Sequence, residues 1–335
     1  TAPHSLPGME IISPRGQILR LRYQTPAGSL PAWTLPRRDL DAYLVNAAAG
    51  AGATIEEGFF ARYPVWSGGV VQGVAGRSSR GELTYRAALT IIADGNRSTM
   101  AASLGLAASP RWPVRMGLVA HYHGYPRLRD GFGQMHVGVD GYCGIAQLPG
   151  ETVNVAAVFP AGLLRRSGLS ATQFLTNWAA SSGALRETLD SCCMAGNVRG
   201  VFPVGSRTRR AWAPGALLAG DAVSFFDPFT GEGIFRAVRG AELASTVAGM
   251  ALELRDVSSR TLKVYDALRT RAFRRKESVT ALVQLFVQYP RLLEYAIPRL
   301  SSRGEARDAL SLVLGDVRDA RAFLNPPMLW RTLRP

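Results

Sequence analysis

With 335 residues, 47% of them hydrophobic and 19% charged, the chain has room for one large domain or two modest ones. This composition is close to that of an ordinary globular protein, and its spread of Gly and Pro fits many short strands and tight turns better than a disordered tract. The net charge is +14, mostly from arginine. That balance admits nucleic acid, an anionic membrane surface or an anionic ligand as partner, and equally a plain solvated basic surface. No apolar run reaches the ~20 residues that span a bilayer. Thr1-Ala-Pro-His4 lacks a secretory pattern, and Cys143, Cys192 and Cys193 make no disulfide framework. A cytoplasmic location is expected, with a peripheral membrane contact left open.

In chain order, Leu40, Leu44 and Ala47 follow helical spacing, so a helix is predicted over residues 37–50, stopped at Gly50 and Gly52. A short strand is expected at Thr54–Glu56. A hairpin is expected next, with Val70, Val71 and Val74 on one arm, Leu83 and Tyr85 on the other, and Gly76 to Gly81 between. The apolar run Ala88–Ala93, ending at Asp94-Gly95, reads as a strand buried on both faces. Alternating runs over 116–122, 134–139, 142–147 and 153–159 predict an antiparallel sheet, joined by a helix near Ala171–Ala180. A buried strand over 215–221 then leads into a helix from Gly233 to Leu254, whose alanines 237, 241, 244, 248 and 251 suit close packing on a sheet. From Ser258 onward the chain reads as helical.

Several features are chemically suggestive but weak. Arg269, Arg271, Arg274, Arg275 and Lys276 precede an apolar stretch beginning at Val279, which reads as the end of one helix and the buried face of the next, or as a membrane-surface segment. Cys192 and Cys193 are expected to be free buried thiols. His121 and His123 share a strand face, but no further ligands complete a metal site, so no metal is expected. Basic and aromatic residues do not interleave, so no nucleic-acid role is expected.

The strongest signal is Leu217-Leu-Ala-Gly-Asp-Ala-Val-Ser-Phe-Phe-Asp-Pro-Phe-Thr-Gly-Glu-Gly-Ile234. Asp221 at a strand end can accept hydrogen bonds from sugar or ribityl hydroxyls, and Gly220 allows close approach of a ligand to the backbone. Gly231 and Gly233 open a helix whose N-terminus favours an anion, such as a reduced flavin.

Gly220-Asp221-Ala222 with Pro228-x-x-Gly231-x-Gly233-Ile234 resembles the second FAD motif of the para-hydroxybenzoate hydroxylase and geranylgeranyl reductase superfamily. Ile91-Ile-Ala-Asp-Gly-Asn-Arg-Ser98 looks like its Asp-Gly motif, and Pro36-Arg37-Arg-Asp-Leu-Asp41-x-x-Leu44 like its Arg-bearing helix. The resemblance covers roughly residues 30–255. It implies an α/β (α+β overall) fold: an FAD-binding three-layer domain of glutathione-reductase type, interrupted by an antiparallel-sheet substrate domain and followed by a helical region. The expected boundaries are 1–106 and 206–257 for the FAD-binding parts, 107–205 for the substrate part and 258–335 for the tail. The resemblance also implies that Arg37 reaches the FAD pyrophosphate or ribityl chain, that Asp94 and Gly95 lie near the cofactor and a nicotinamide donor, and that Asp221 binds the ribityl. The superfamily's opening Gly-x-Gly-x-x-Gly turn is missing, so an N-terminal piece of the natural protein is expected beyond Thr1.

The implied cofactors are FAD, with NAD(P)H as donor. Reduction of a carbon–carbon double bond in a lipophilic substrate is the favoured expectation; hydroxylation or epoxidation by a flavin monooxygenase is the alternative. A non-catalytic binding module is a further reading. Residues 141–155 resemble the strand pair facing the flavin in geranylgeranyl-reductase-like proteins, which makes Tyr142 and Gly144 candidate substrate residues. Those proteins carry an aromatic-x-Trp-x-Phe-Pro string there; here Gly144 and Ala146 replace Trp and Phe, and Pro149 is offset. The C-terminal stripe Leu282, Leu285, Phe286, Tyr289, Leu292, Leu293 and Tyr295 is expected to be core, or else the wall of an apolar tunnel.

Overall fold

The computed structural model describes residues 2–108, 114–124, 128–180, 192–324, 326–327 and 330. It begins with strands β1 (His4–Leu6), β2 (Gly8–Ile12), β3 (Ile18–Arg22), β4 (Gln24–Thr25), β5 (Gly28–Ser29) and β6 (Ala32–Thr34), then helix α1 (Arg37–Gly50). Next come β7 (Phe60–Ser67), β8 (Val70–Ser78), β9 (Gly81–Arg86), β10 (Thr90–Ile92) and α2 (Thr99–Ser103). The middle holds β11 (Arg115–His123), β12 (Gly133–Gly138), β13 (Gly141–Gln147), β14 (Thr152–Pro160), α3 (Ala161–Ser167), α4 (Ala171–Ala180) and β15 (Cys193–Val204). Short strands β16 (Ser206–Arg207), β17 (Trp212–Ala213), β18 (Ala216–Leu218) and β19 (Ser224–Phe225) follow. Helices α5 (Gly233–Glu253), α6 (Ser259–Leu262), α7 (Val264–Gln288), α8 (Pro290–Ser302) and α9 (Gly304–Leu314) complete the chain.

These elements form two compact units. One contains residues 1–50, 113–204 and 275–335; the other contains 51–112 and 205–274.

The first unit is organised by a seven-stranded sheet of order β15-β11-β14-β13-β12-β2-β3. The four alternating runs of the sequence are its strands β11 to β14, each antiparallel to its neighbours among them. The N-terminal β2–β3 hairpin, which periodicity does not announce, adds to β12 in parallel, with Gln134 beside Glu10 and His136 beside Ile12. One sheet face buries Leu118, Cys143, Ile145, Val155 and Phe159 with Phe174 and Leu175 of α4. At the far end α8 and α9 pack on β3, where Leu19 and Leu21 are fully buried.

Two expectations about the tail need correction. Of the seven residues in the apolar stripe of α7 and α8 only Leu293 is buried; the inward face of α8 is Leu293, Ala296, Ile297 and Leu300, one position off the others. The stripe is therefore largely not core within this unit. The basic cluster from Arg269 to Lys276 does not end a helix, because α7 runs unbroken from 264 to 288 with no Gly or Pro to stop it. Lys276 is instead buried, its ammonium donating to the Leu314 carbonyl and pairing with Asp316 at 2.8 Å beyond the C-terminus of α9, where a cation is favourable. Helix α1 forms over the expected residues, but none of them is buried.

In the second unit β7, β8 and β9 make an antiparallel sheet, as the hairpin pattern anticipates, except that β8 continues to Ser78 and the turn is shorter. No strand forms at Thr54–Glu56, which lies in a polar connection. Strand β10 is limited to Thr90–Ile92 and is buried on one face only, since Ile91 is 48% exposed; among the described residues β10 is an edge strand paired with β18. Strand β18 is buried throughout. Helix α5 packs through Arg236, Gly240, Leu243, Ala244, Val247, Ala248 and Ala251. The alanine stripe is thus only partly the packing face: Ala237 is half-buried and Ala241 exposed, because the buried face drifts by one residue in the first turns.

Candidate functional site

Strands β10 and β18 run parallel in register, Thr90 beside Ala216 and Ile92 beside Leu218. The Ala219 amide donates to the Ile92 carbonyl at 2.8 Å, so the pairing continues one residue past the strands. Their C-terminal ends therefore release two loops side by side, Ala93-Asp94-Gly95 and Ala219-Gly220-Asp221. Ligands of open α/β sheets bind outside such carboxyl ends.

In the first loop the Asp94 carboxylate accepts from the Met100 amide at 3.3 Å, and Ser98 caps α2 by accepting from Ala101 at 2.8 Å. Gly95 has φ +86°, a conformation that favours glycine. The Ser206 hydroxyl donates to the Asn96 side-chain oxygen at 2.6 Å, and Ser206 pairs with Phe225. That arrangement ties the first loop to the segment entering Asp227-Pro228.

In the second loop Asp227 accepts from the Phe229 amide at 3.2 Å and starts a helical turn over Pro228–Thr230 that ends at Gly231, φ +71°. Helix α5 begins two residues later at Gly233, and Glu232 at its N-cap makes no side-chain capping bond. Amides of the first helical turn have no carbonyl partner within the helix and carry its positive end.

The glycines test whether a ligand fits. A Cβ placed on Gly95, Gly231 or Gly233 would meet no protein atom within 4 Å. Gly95 and Gly231 are accounted for by their positive φ. Gly233 is not: its backbone is ordinary and the space above it is open, so nothing within this unit demands glycine there. Room is therefore left there for a group lying against the helix N-terminus. Ile234, the next residue, is 49% exposed on the same turn. A carboxylate at a strand end, an unobstructed helix N-terminus and a neighbouring Asp-Gly loop fit the ribityl and ring of a flavin.

The second unit thus brings together Asp94, Gly95, Gly220, Asp221, Pro228, Gly231, Gly233 and Ile234. Arg37, Tyr142 and Gly144 belong to the first unit. Arg37 stands in the first turn of α1, 69% exposed, with its guanidinium on Asp41 at 3.1 Å. Tyr142 and Gly144 point to one face of β13; Tyr142 is fully buried, whereas Gly144 is half-buried under Met135, whose methyl would lie 3.2 Å from a Cβ there. Sequence reasoning overlooked Glu232 and Arg236, both buried inside the motif; a Glu and an Arg spaced i,i+4 at a helix start was the available signal. Among the described residues no cluster of His, Cys, Asp and Glu could hold a metal ion. Cys143 is buried, which pushes its thiol up to about 12, and Cys192 is half-buried; Cys193, expected to be buried, is exposed.

Parallel strand ends that release two short acidic loops side by side, beside a glycine-flanked helix start, are the arrangement this unit offers a ligand. The chain belongs to the FAD-binding domain family, whose pattern matches residues 15–279. It is 29% identical over 261 residues to a digeranylgeranylglycerophospholipid reductase of Methanoculleus marisnigri, covering 77% of this chain and 64% of that protein. It is 28% identical over 308 residues to conditioned medium factor receptor 1 of Dictyostelium discoideum, covering 86% of this chain and 57% of that protein. The chain thus spans less than two thirds of the length of these relatives. Its fold is shared with a geranylgeranyl bacteriochlorophyll reductase-like protein from Thermoplasma acidophilum (TM-score 0.81, 21% identity, 97% of this chain and 81% of that one). It is shared equally with a flavin-dependent brominase (TM-score 0.81, 17% identity, 98% and 82%).

Proposed function

We propose that the protein is an FAD-dependent oxidoreductase that reduces a carbon–carbon double bond of a lipophilic, isoprenoid-type substrate, with NAD(P)H as electron donor. The observation that carries the cofactor part is the juxtaposition of Asp94-Gly95 and Gly220-Asp221 at the ends of β10 and β18, beside the open glycine at the start of α5. The reductase part is supported by the similarity to a protein named digeranylgeranylglycerophospholipid reductase. Arg37 is proposed to reach the phosphates or ribityl of FAD, Asp221 to bind the ribityl, and Gly144 to line the substrate.

When bound, FAD supplies hydride chemistry. This chain's residues bind and orient it: Asp221 accepts from its hydroxyls, and the α5 N-terminus steadies negative charge on the ring. Saturating one double bond consumes a hydride, ultimately from NAD(P)H, and a proton from water.

Monooxygenation of a lipophilic substrate is the alternative chemistry of this same site. The test is anaerobic turnover of geranylgeranyl-chain lipid with reduced flavin, followed by mass spectrometry. A gain of two hydrogens per double bond is expected; a product formed only with oxygen, and carrying it, would overturn the reductase reading. Protein that takes up no FAD would leave a binding module instead.

A lipophilic substrate also accords with a membrane contact. Leu285, Tyr289, Leu292 and Tyr295 are 40–52% exposed, with Arg291 and Arg299 beside them in α8, a pattern that suits an anionic lipid surface. No described helix is long and apolar enough to cross a membrane.

A further inference from the structure

We infer that Arg236, through Glu232, is a positioning residue that sets the conformation of the loop from Phe226 to Gly233 for flavin binding; the inference rests on the FAD reading above. Arg236 lies one turn into α5 and is 7% exposed, and Glu232 is 3% exposed. Their side chains pair at 3.5 Å. The other oxygen of Glu232 accepts from the Thr230 hydroxyl at 2.7 Å. The Arg236 guanidinium also lies over two rings, Phe226 at 3.8 Å and Phe273 at 4.5 Å.

This one cation therefore joins the entry of the loop (Phe226), its last turn (Thr230 and Glu232), the start of α5 and the body of α7. Burying two charges is costly, and such a pair gains little over apolar packing of the same volume. What it does supply is a bias toward one arrangement, because moving either side chain away separates the two buried charges. The arrangement selected is the one in which Gly231 takes its left-handed φ and Gly233 opens the helix. A bulky apolar side chain would fill the same space without fixing the loop. Lysine would keep the charge but lose the planar guanidinium that lies on both rings.

The test uses the full chain of the flavoprotein with Arg236→Met, Arg236→Lys and Glu232→Gln. FAD affinity is read by flavin fluorescence, the setting of the bound ring by its visible circular dichroism, and apoprotein stability by thermal melting. Arg236→Met and Glu232→Gln are expected to weaken FAD binding roughly tenfold or more, the order found for groups that support other binding sites. The visible dichroism should change in parallel, and Arg236→Lys should recover part of the affinity. Variants that melt lower but bind FAD with unchanged affinity and dichroism would overturn the inference and leave Arg236 as packing. Should Arg236→Met fail to fold, Glu232→Gln decides by the same readouts. Wild-type protein that takes up no FAD would overturn the flavin reading and this inference with it; wild-type binding with unchanged variants would overturn this inference alone.

Discussion

The Tyr265 hydroxyl donates to the Leu218 carbonyl at 2.9 Å and lies 3.2 Å from the Gly240 carbonyl, so one buried phenol on α7 fastens both the strand that ends in the Gly-Asp loop and the helix that follows it. Burial raises the pKa of this phenol, which keeps it a donor at any ordinary pH. Tyr265→Phe leaves two buried carbonyls without that donor. A loss of about 1–3 kcal/mol in unfolding free energy is expected in denaturant titrations, together with weaker FAD binding. A stability change below about 0.5 kcal/mol would show that the contact is idle.

Gly233 separates folding from binding. Alanine fits its backbone and the open space above it, so Gly233→Ala should leave apoprotein stability unchanged or raise it by about 0.5 kcal/mol. FAD affinity should nonetheless fall by about tenfold, since a methyl group would stand where the flavin is proposed to lie. Equal affinity in fluorescence titrations would move the ring away from this helix.

Gly215 gives the contrasting result. It turns β17 into β18 with φ +75°, and a Cβ there would run into the Val71 carbonyl oxygen. Gly215→Ala should cost about 3 kcal/mol or more, seen as a lowered melting temperature in apo and holo protein alike.

His136 makes the first unit acid-sensitive. Burial lowers its pKa from 6.5 to about 4, so the folded state holds the ring neutral while the unfolded chain protonates it. Its depressed pKa leaves stability intact above pH 6.5 and erodes it as the pH falls toward 4, by up to about 3 kcal/mol. His136→Gln should flatten that part of the stability profile; an unchanged profile between those pH values would assign the acid sensitivity elsewhere.

The thiols should separate cleanly. Cys193 is exposed and Cys143 buried, so brief alkylation of native protein followed by peptide mass mapping should label Cys193 and spare Cys143. Labelling of Cys143 at a comparable rate would mean that the sheet opens there.

Much of this was legible in the sequence where one local period decided the outcome. Strands β11 to β14, helices α1, α4 and α5 and the β8–β9 hairpin each follow a run of their own. The Gly-Asp and Gly-x-Gly strings stood out because each combines a special backbone with a polar group. What failed was non-local. The β2–β3 hairpin owes its place to β12, a partner more than 100 residues away in the chain. The limited burial of β10 follows from its edge position rather than its composition. The inward turn of Arg236 and Gly240 on α5 follows from Phe273 and Tyr265 of α7, which lie against them. The break imagined near Lys276 mistook a change of chemistry for a change of structure.

The addition of β2 to β12 also bears on how the protein can be divided. A fragment cut to residues 107–205 would keep five strands, β15-β11-β14-β13-β12, each antiparallel to its neighbours, yet leave one side of β12 without its mate. Its amides and carbonyls would then offer a ready template to another chain. The first two dozen residues, remote in sequence, thus act as the sheet's own guard against self-association. During synthesis the hairpin has nothing to cover until the middle of the chain has emerged.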